Sequence, residues 1–118
     1  MDAGARTPEE LETLFEDAFV MRDPAALCAL FDDPGVLAAW GHGEARGAEA
    51  IGRAAVELWA DGRTYVGGAS RVLLTRDTAL VTSAAGSHVA RRARDGTWRL
   101  AISLLDHMTP DRPEGEHA

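Results

Sequence analysis

The chain has 118 residues, enough for one ordinary domain with a real core, and 46% of them are hydrophobic. Its formal charge of -7 is concentrated at the start, since residues 1–33 hold nine acids against two arginines and the remainder sums to zero. An acidic surface of this kind repels phosphate backbones and argues against nucleic acid as a partner, while no apolar run approaches the roughly 18 residues of a membrane span. The opening "MDAGARTPEELETLF" lacks the basic and apolar regions of a secretory leader, so a soluble, cytoplasmic protein with no membrane partner is expected. Cys28 is the single cysteine, which excludes an internal disulfide, and its apolar neighbours suggest a buried small hydrophobe.

Thr7-Pro8-Glu9-Glu10 is a capping box with proline at the first helical position, and Leu11, Leu14, Phe15, Ala18 and Phe19 continue as one buried helical stripe. Asp23-Pro24 repeats the start signal, predicting a short second helix through Leu27, Leu30 and Phe31 that stops at "DDPG". Residues 36–40 read as a strand and 41–47 as a loop. Ile51, Ala55, Leu58 and Trp59 mark a third helix ending at Asp61-Gly62. From there the texture is β, with strands over 64–75, 78–85, 87–94 and 97–106 forming an antiparallel meander. The tail from 109 to 118, with two prolines and little to bury, is expected to be disordered, leaving one domain over 1–108. The class is α+β, a cone-shaped curved antiparallel sheet packed against three helices.

If Asp95 and Gly96 are the two loop residues of a type I′ hairpin, 92 pairs with 99, 90 with 101 and 88 with 103. One face of the last hairpin then carries Val89, Trp98, Leu100, Ile102 and Leu104, and the other His88, Ala90, Ala101, Ser103 and Leu105. A strand apolar on both faces needs cover on both sides. Its own helices supply one and a second copy of the chain is expected to supply the other, giving a homodimer. The same register sets Arg92 beside Arg99, like charges that need water or an anion between them.

The stretches "FVMRDPAALCALFDDPGVLAAW", "ARGAEAI" and "RRARDGTWRLAISLLD" resemble the nuclear transport factor 2-like superfamily, and most of all its SnoaL-like and ketosteroid-isomerase-like branch. The resemblance implies a cone closed by helices, a pocket inside it, and a dimer through the outer sheet face. The chain departs from the family in one place: only about ten residues separate Ala79 from Arg91-Arg92 where relatives have longer strands, and a hairpin this short would lower one wall of the cone, leaving a shallow pocket or one completed by a partner. The isomerases of this branch use a tyrosine, an aspartate base and a protonated aspartic acid. Those positions fall at Phe15, Ala39 and His88 here, and two of the three are chemically silent, which argues against steroid isomerisation by that mechanism.

His88 is the first catalytic candidate, because the resemblance places it inside the cone and an imidazole can act as a general base near neutral pH. The alternative is a histidine satisfied by a hydrogen bond to Ser103. His42, in a glycine-rich loop beside Trp40 and Glu44 at the implied pocket mouth, is the second candidate. The implied pocket lining is Phe15, Phe19, Trp40, Trp59, Tyr65, Ala101, Ser103 and Leu105. No histidine pair has metal-ligand spacing and there is no nucleotide-binding motif, so no metal or cofactor is expected. Two functions stay open: an isomerase or cyclase moving a proton in a small apolar, polyketide-like molecule, or a noncatalytic dimeric binding or accessory domain.

Overall fold

The computed structural model describes residues 4–106 and 109–110. Thr7 caps helix α1 (Pro8–Val20), its Oγ1 accepting from Glu10 N–H at 3.0 Å, while Glu10 Oε1 accepts from the Arg6 N–H at 2.7 Å. Asp23 caps α2 (Pro24–Cys28) in the same manner through Ala26 N–H, and α3 spans Ala48–Ala60. The second helix is shorter than its sequence suggests. Phe31 opens strand β1 (Phe31–Ala39) instead, and "DDPG" is a bulge within that strand where pairing to its neighbour slips between Phe31 and Val36. Strand β2 (Gly43–Arg46) folds back on β1, so the predicted loop over 41–47 is the far half of a hairpin.

Further along come β3 (Arg63–Thr64), β4 (Arg71–Thr75), β5 (Thr78–Ser83), β6 (Gly86–Arg92) and β7 (Trp98–Leu105). The predicted strand over 64–75 is therefore two pieces, with residues 65–70 in no regular structure. Six strands form one curved sheet in the order β2-β1-β7-β6-β5-β4, and β1 runs parallel to β7. The sheet is mixed, with the meander antiparallel as expected. Strand β8 (Thr109–Pro110) pairs with β3, and residues 111–118 of the expected tail lie outside the described residues. Helix α1 packs on β5 and β7, and α3 on β1 and β2. No helix among the described residues is long and apolar enough to cross a membrane.

The last hairpin departs from its predicted register twice. Ala93 N–H bonds the Thr97 carbonyl at 2.8 Å, so the loop has three residues, Arg94 to Gly96, with Gly96 in the left-handed region at φ 87°. Glycine takes this conformation without steric cost, as a three-residue hairpin loop requires. Thr97 donates through both its backbone N–H and its hydroxyl to Asp95 Oδ1, and these bonds hold the Asp95 carboxyl below its usual range. The longer loop moves the pairing by one residue, setting Ala90 opposite Leu100, Arg91 opposite Arg99 and Arg92 opposite Trp98. A bulge at Ala101 then restores the expected pairs, Val89 with Ile102 and His88 with Ser103.

The bulge changes which residues face inward. Trp98 and Leu100 lie on the interior face with Ser103 and Leu105, all four buried, whereas Ile102 and Leu104 are exposed. The expectation that Trp98, Leu100, Ile102 and Leu104 share one face is thus half wrong, because an extra residue in one strand reverses side-chain parity beyond it. Arg92 is not beside Arg99 either. Its Nη2 donates to Asp77 Oδ1 at 2.8 Å and its guanidinium lies 5.7 Å from the Trp98 ring.

Candidate functional site

The interior between α1 and the sheet is apolar except at one place, where five side chains from separate elements meet. Glu12 comes from α1, Tyr65 from the segment after β3, Ser83 from β5, His88 from β6 and Ser103 from β7. Tyr65 Oη donates to Glu12 Oε2 at 2.7 Å and lies 3.0 Å from His88 Nε2 and 3.2 Å from Ser83 Oγ. On the far side of the ring, His88 Nδ1 is 2.8 Å from Ser103 Oγ. Glu12 Oε1 sits 3.0 Å from His88 Nε2, an ion-pair distance without hydrogen-bond alignment, and this oxygen has no other partner. Phe15 covers the imidazole at a ring separation of 4.7 Å.

These contacts define one arrangement of protons. Because the Tyr65 hydroxyl hydrogen goes to Glu12, the bond between Tyr65 Oη and Nε2 is donated by the imidazole, and Nδ1 accepts from Ser103. Burial, reinforced by the bond to Glu12, pushes the Tyr65 phenol well above its ordinary range, so it stays protonated. Glu16, partly desolvated and close to the Glu12 charge, is also raised. The cluster is closed to water: Tyr65 and Ser103 are fully buried, His88 is 2% exposed and Glu12 7%.

Of the predicted site residues, the structure brings together His88, Ser103, Tyr65 and Phe15, with Phe19 at 6.1 Å from the tyrosine ring and Leu105 buried in the same core. Trp59 packs edge-on to Phe19 at 5.4 Å, and its buried indole N–H has no partner. Three predicted residues are elsewhere. Trp40 is 80% exposed just past the end of β1, Ala101 is the bulge residue and only half-buried, and His42 pairs with Asp61 at 3.8 Å. His42 lines a small cleft of about 230 Å³ together with Glu44 and Arg46. Cys28 is half-buried rather than in the core, its thiol donating to the Ala48 carbonyl at 3.1 Å and raised by desolvation.

Glu12 was absent from the sequence candidates. It falls three residues before Phe15 and seven before Phe19, on the apolar stripe of α1, and this position was its only signal. A roomier cleft, about 620 Å³, lies elsewhere, between the end of α1, α2 and the start of β7. Its walls include Leu14, Ala18, Leu30 and Trp98, with Asp17, Asp23 and Arg99 the ionisable side chains among them. The chemistry is concentrated at the closed cluster, which we take as the site. Among the described residues no group of three or more metal-ligating side chains is gathered.

The sequence matches no family model and no curated protein. Solved structures do match. One is an NTF2-like protein with a cystatin-like fold from Novosphingobium aromaticivorans, 23% identical over 83% of this chain and 77% of that one, with TM-score 0.66. The chain has the NTF2-like fold. A ketosteroid isomerase-like protein from Erwinia carotovora atroseptica is 20% identical over 86% of this chain and 94% of its own, with TM-score 0.71. A hexachlorocyclohexane dehydrochlorinase is 18% identical over 93% and 88%, with TM-score 0.70.

Proposed function

We propose that this NTF2-like chain is a small-molecule enzyme of the isomerase or lyase type, in which His88 moves a proton within an apolar substrate. The observation that carries the proposal is the Glu12–His88–Ser103 row, buried in an otherwise apolar interior. Desolvating a carboxylate and an imidazole costs several kcal/mol, and clusters of buried titratable groups gather at functional sites. To act as a base at Nε2 the imidazole takes the other tautomer, its proton on Nδ1 and donated to Ser103 Oγ, whose own hydrogen turns away; Nε2 then takes the substrate's proton and Glu12 offsets the imidazolium charge. Solved neighbours named as an isomerase-like protein and a dehydrochlorinase support this class.

A second reading, a noncatalytic dimeric accessory domain, is favoured by the closure of the cluster. The outer sheet face serves either reading. Leu73, Leu80, Ile102 and Leu104 are exposed on adjacent strands, with the half-buried Val89 paired between Leu80 and Ile102, and an apolar face of this kind suits a second copy of the chain. Light scattering is expected to report a homodimer.

His88→Asn separates the two functions. A panel of polycyclic and alicyclic ketones is screened for binding and conversion with the wild-type protein and the variant. Conversion by the wild type, abolished in the variant with the dimer intact, is the expected result. Conversion undiminished in the variant removes His88 as the base, and binding without conversion in both supports the accessory domain.

A further inference from the structure

The Tyr65 hydroxyl sits where three polar groups from three elements converge: Glu12 Oε2, His88 Nε2 and Ser83 Oγ. Those three groups are anchored in α1, β6 and β5, whereas Tyr65 belongs to the irregular segment 65–70. Among the described residues, the backbone hydrogen bond tying this segment to the sheet edge is Ala84 N–H to the Gly67 carbonyl, long at 3.3 Å. Gly67 is pressed against the cluster so closely that a β-carbon there would meet Glu12 Oε2 at 2.7 Å. Gly68 beside it is in the left-handed region at φ 65°, a conformation glycine leaves and enters freely. Tyr65 is thus the member of this group of four that lies outside any strand or helix.

We infer that the Tyr65 phenol is a built-in stand-in for the ligand: the site takes a planar hydroxyaromatic or stabilised enol whose hydroxyl replaces Tyr65 Oη between Glu12, His88 and Ser83. The class follows from the contacts. The incoming group donates to the Glu12 carboxylate and accepts from the imidazole N–H, which a hydroxyl does and an ether or hydrocarbon does not. The ring it replaces lies 5.0 Å from Phe15 and 6.1 Å from Phe19, so the space left is flanked by aromatic faces and edges. Glu12 Oε1, with no hydrogen-bond partner while Tyr65 is in place, gains access to a second ligand hydroxyl or to water once the segment moves. The inference borrows the location of the site from the proton-transfer reading but requires no turnover.

Tyr65 is the single tyrosine, so protein labelled with fluorotyrosine gives one fluorine signal. The labelled wild type is titrated with naphthol, with naphthol methyl ether and with naphthalene at neutral pH. Naphthol is expected to move the signal to its position in the unfolded chain and to bind about tenfold or more tighter than the ether, which leaves the buried carboxylate without a donor. Tyr65→Phe keeps the ring and loses the three polar contacts, so the plug is weaker and naphthol binds more tightly. A signal unmoved at saturating naphthol, equal affinity for the ether, no binding of naphthol, or weaker binding by a folded Tyr65→Phe protein each overturns the inference. The fluorine titration of the wild type stands without the variant. Because no arm measures conversion, failure of the His88→Asn assay and failure of this one are told apart.

Discussion

The bulge at Ala101 makes a sharp prediction about neighbouring positions on one strand. Leu100 is 1% exposed on the interior face and Ile102 is 46% exposed on the outer one, although a plain alternation would have placed both outside. Leu100→Ala removes three buried carbons, about 2.4 kcal/mol at roughly 0.8 per methylene, and leaves a cavity that raises the loss to about 3–4 kcal/mol. Ile102→Ala removes a similar group that is half in water already and leaves no closed cavity, so its cost to the isolated subunit is about 1 kcal/mol. Guanidinium unfolding followed by tryptophan fluorescence, over a hundredfold range of protein concentration, measures both. The Leu100 variant should lose the same stability at every concentration, whereas the Ile102 loss should grow as concentration rises if the proposed dimer covers that residue. A larger loss at Ile102 than at Leu100 at the lowest concentration would refute the bulge and the face assignment together.

Two other outcomes follow from the core. Tyr65, buried and bonded to Glu12, has its phenol raised above the unfolded value, so the stability it contributes is fully present below about pH 10 and is lost as pH rises beyond it. Tyrosinate absorbance should therefore appear only as the protein unfolds in alkali, and Tyr65→Phe should flatten the alkaline decline in stability; a reversible tyrosinate signal near pH 10 in the folded protein would contradict this. Phe31, 5% exposed at the start of β1, packs against Phe15, and Phe31→Ala should cost about 3–5 kcal/mol on chemical denaturation.

Periodicity carried the helices well, because Leu11, Phe15, Ala18, Phe19, Ile51 and Leu58 are all buried as their spacing implies. It carried the last hairpin only in part, and the reason is geometric. The loop is one residue longer than the Asp-Gly pair suggests, and the bulge at Ala101 returns that residue, so the errors cancel at His88 and Ser103 but not at the residues between. A bulge has no residue signature comparable to Asn-Gly or Asp-Gly, so alternation alone could not locate it. "DDPG" failed for a related reason: turn-forming residues also suit a bulge inside a strand, and only the pairing of β1 with β7 distinguishes the two. The parallel alignment of that pair was invisible for the same cause, since it joins segments far apart in sequence.

Glu12 was the most consequential omission, and its energetics explain why it matters. A histidine bonded to Ser103 and a tyrosine bonded to Ser83 would tie β5, β6, β7 and the segment 65–70 together without any charge. Adding Glu12 brings a carboxylate into the same closed space, with Oε1 left short of a partner and a second acid, Glu16, close enough to be raised by it. An unsatisfied buried acceptor costs about 1–3 kcal/mol, and well-packed apolar residues in place of a buried ion pair are often neutral or stabilising. The stretch around Glu12 already has Leu11 and Phe15 to anchor the helix, so anchoring does not require the carboxylate. What the carboxylate adds is an acceptor for a proton donor in the position of Tyr65 Oη and a counter-charge beside Nε2. Both properties suit the proposed site, where hydroxyls and protons are handled, and neither helps a core that only has to stay closed.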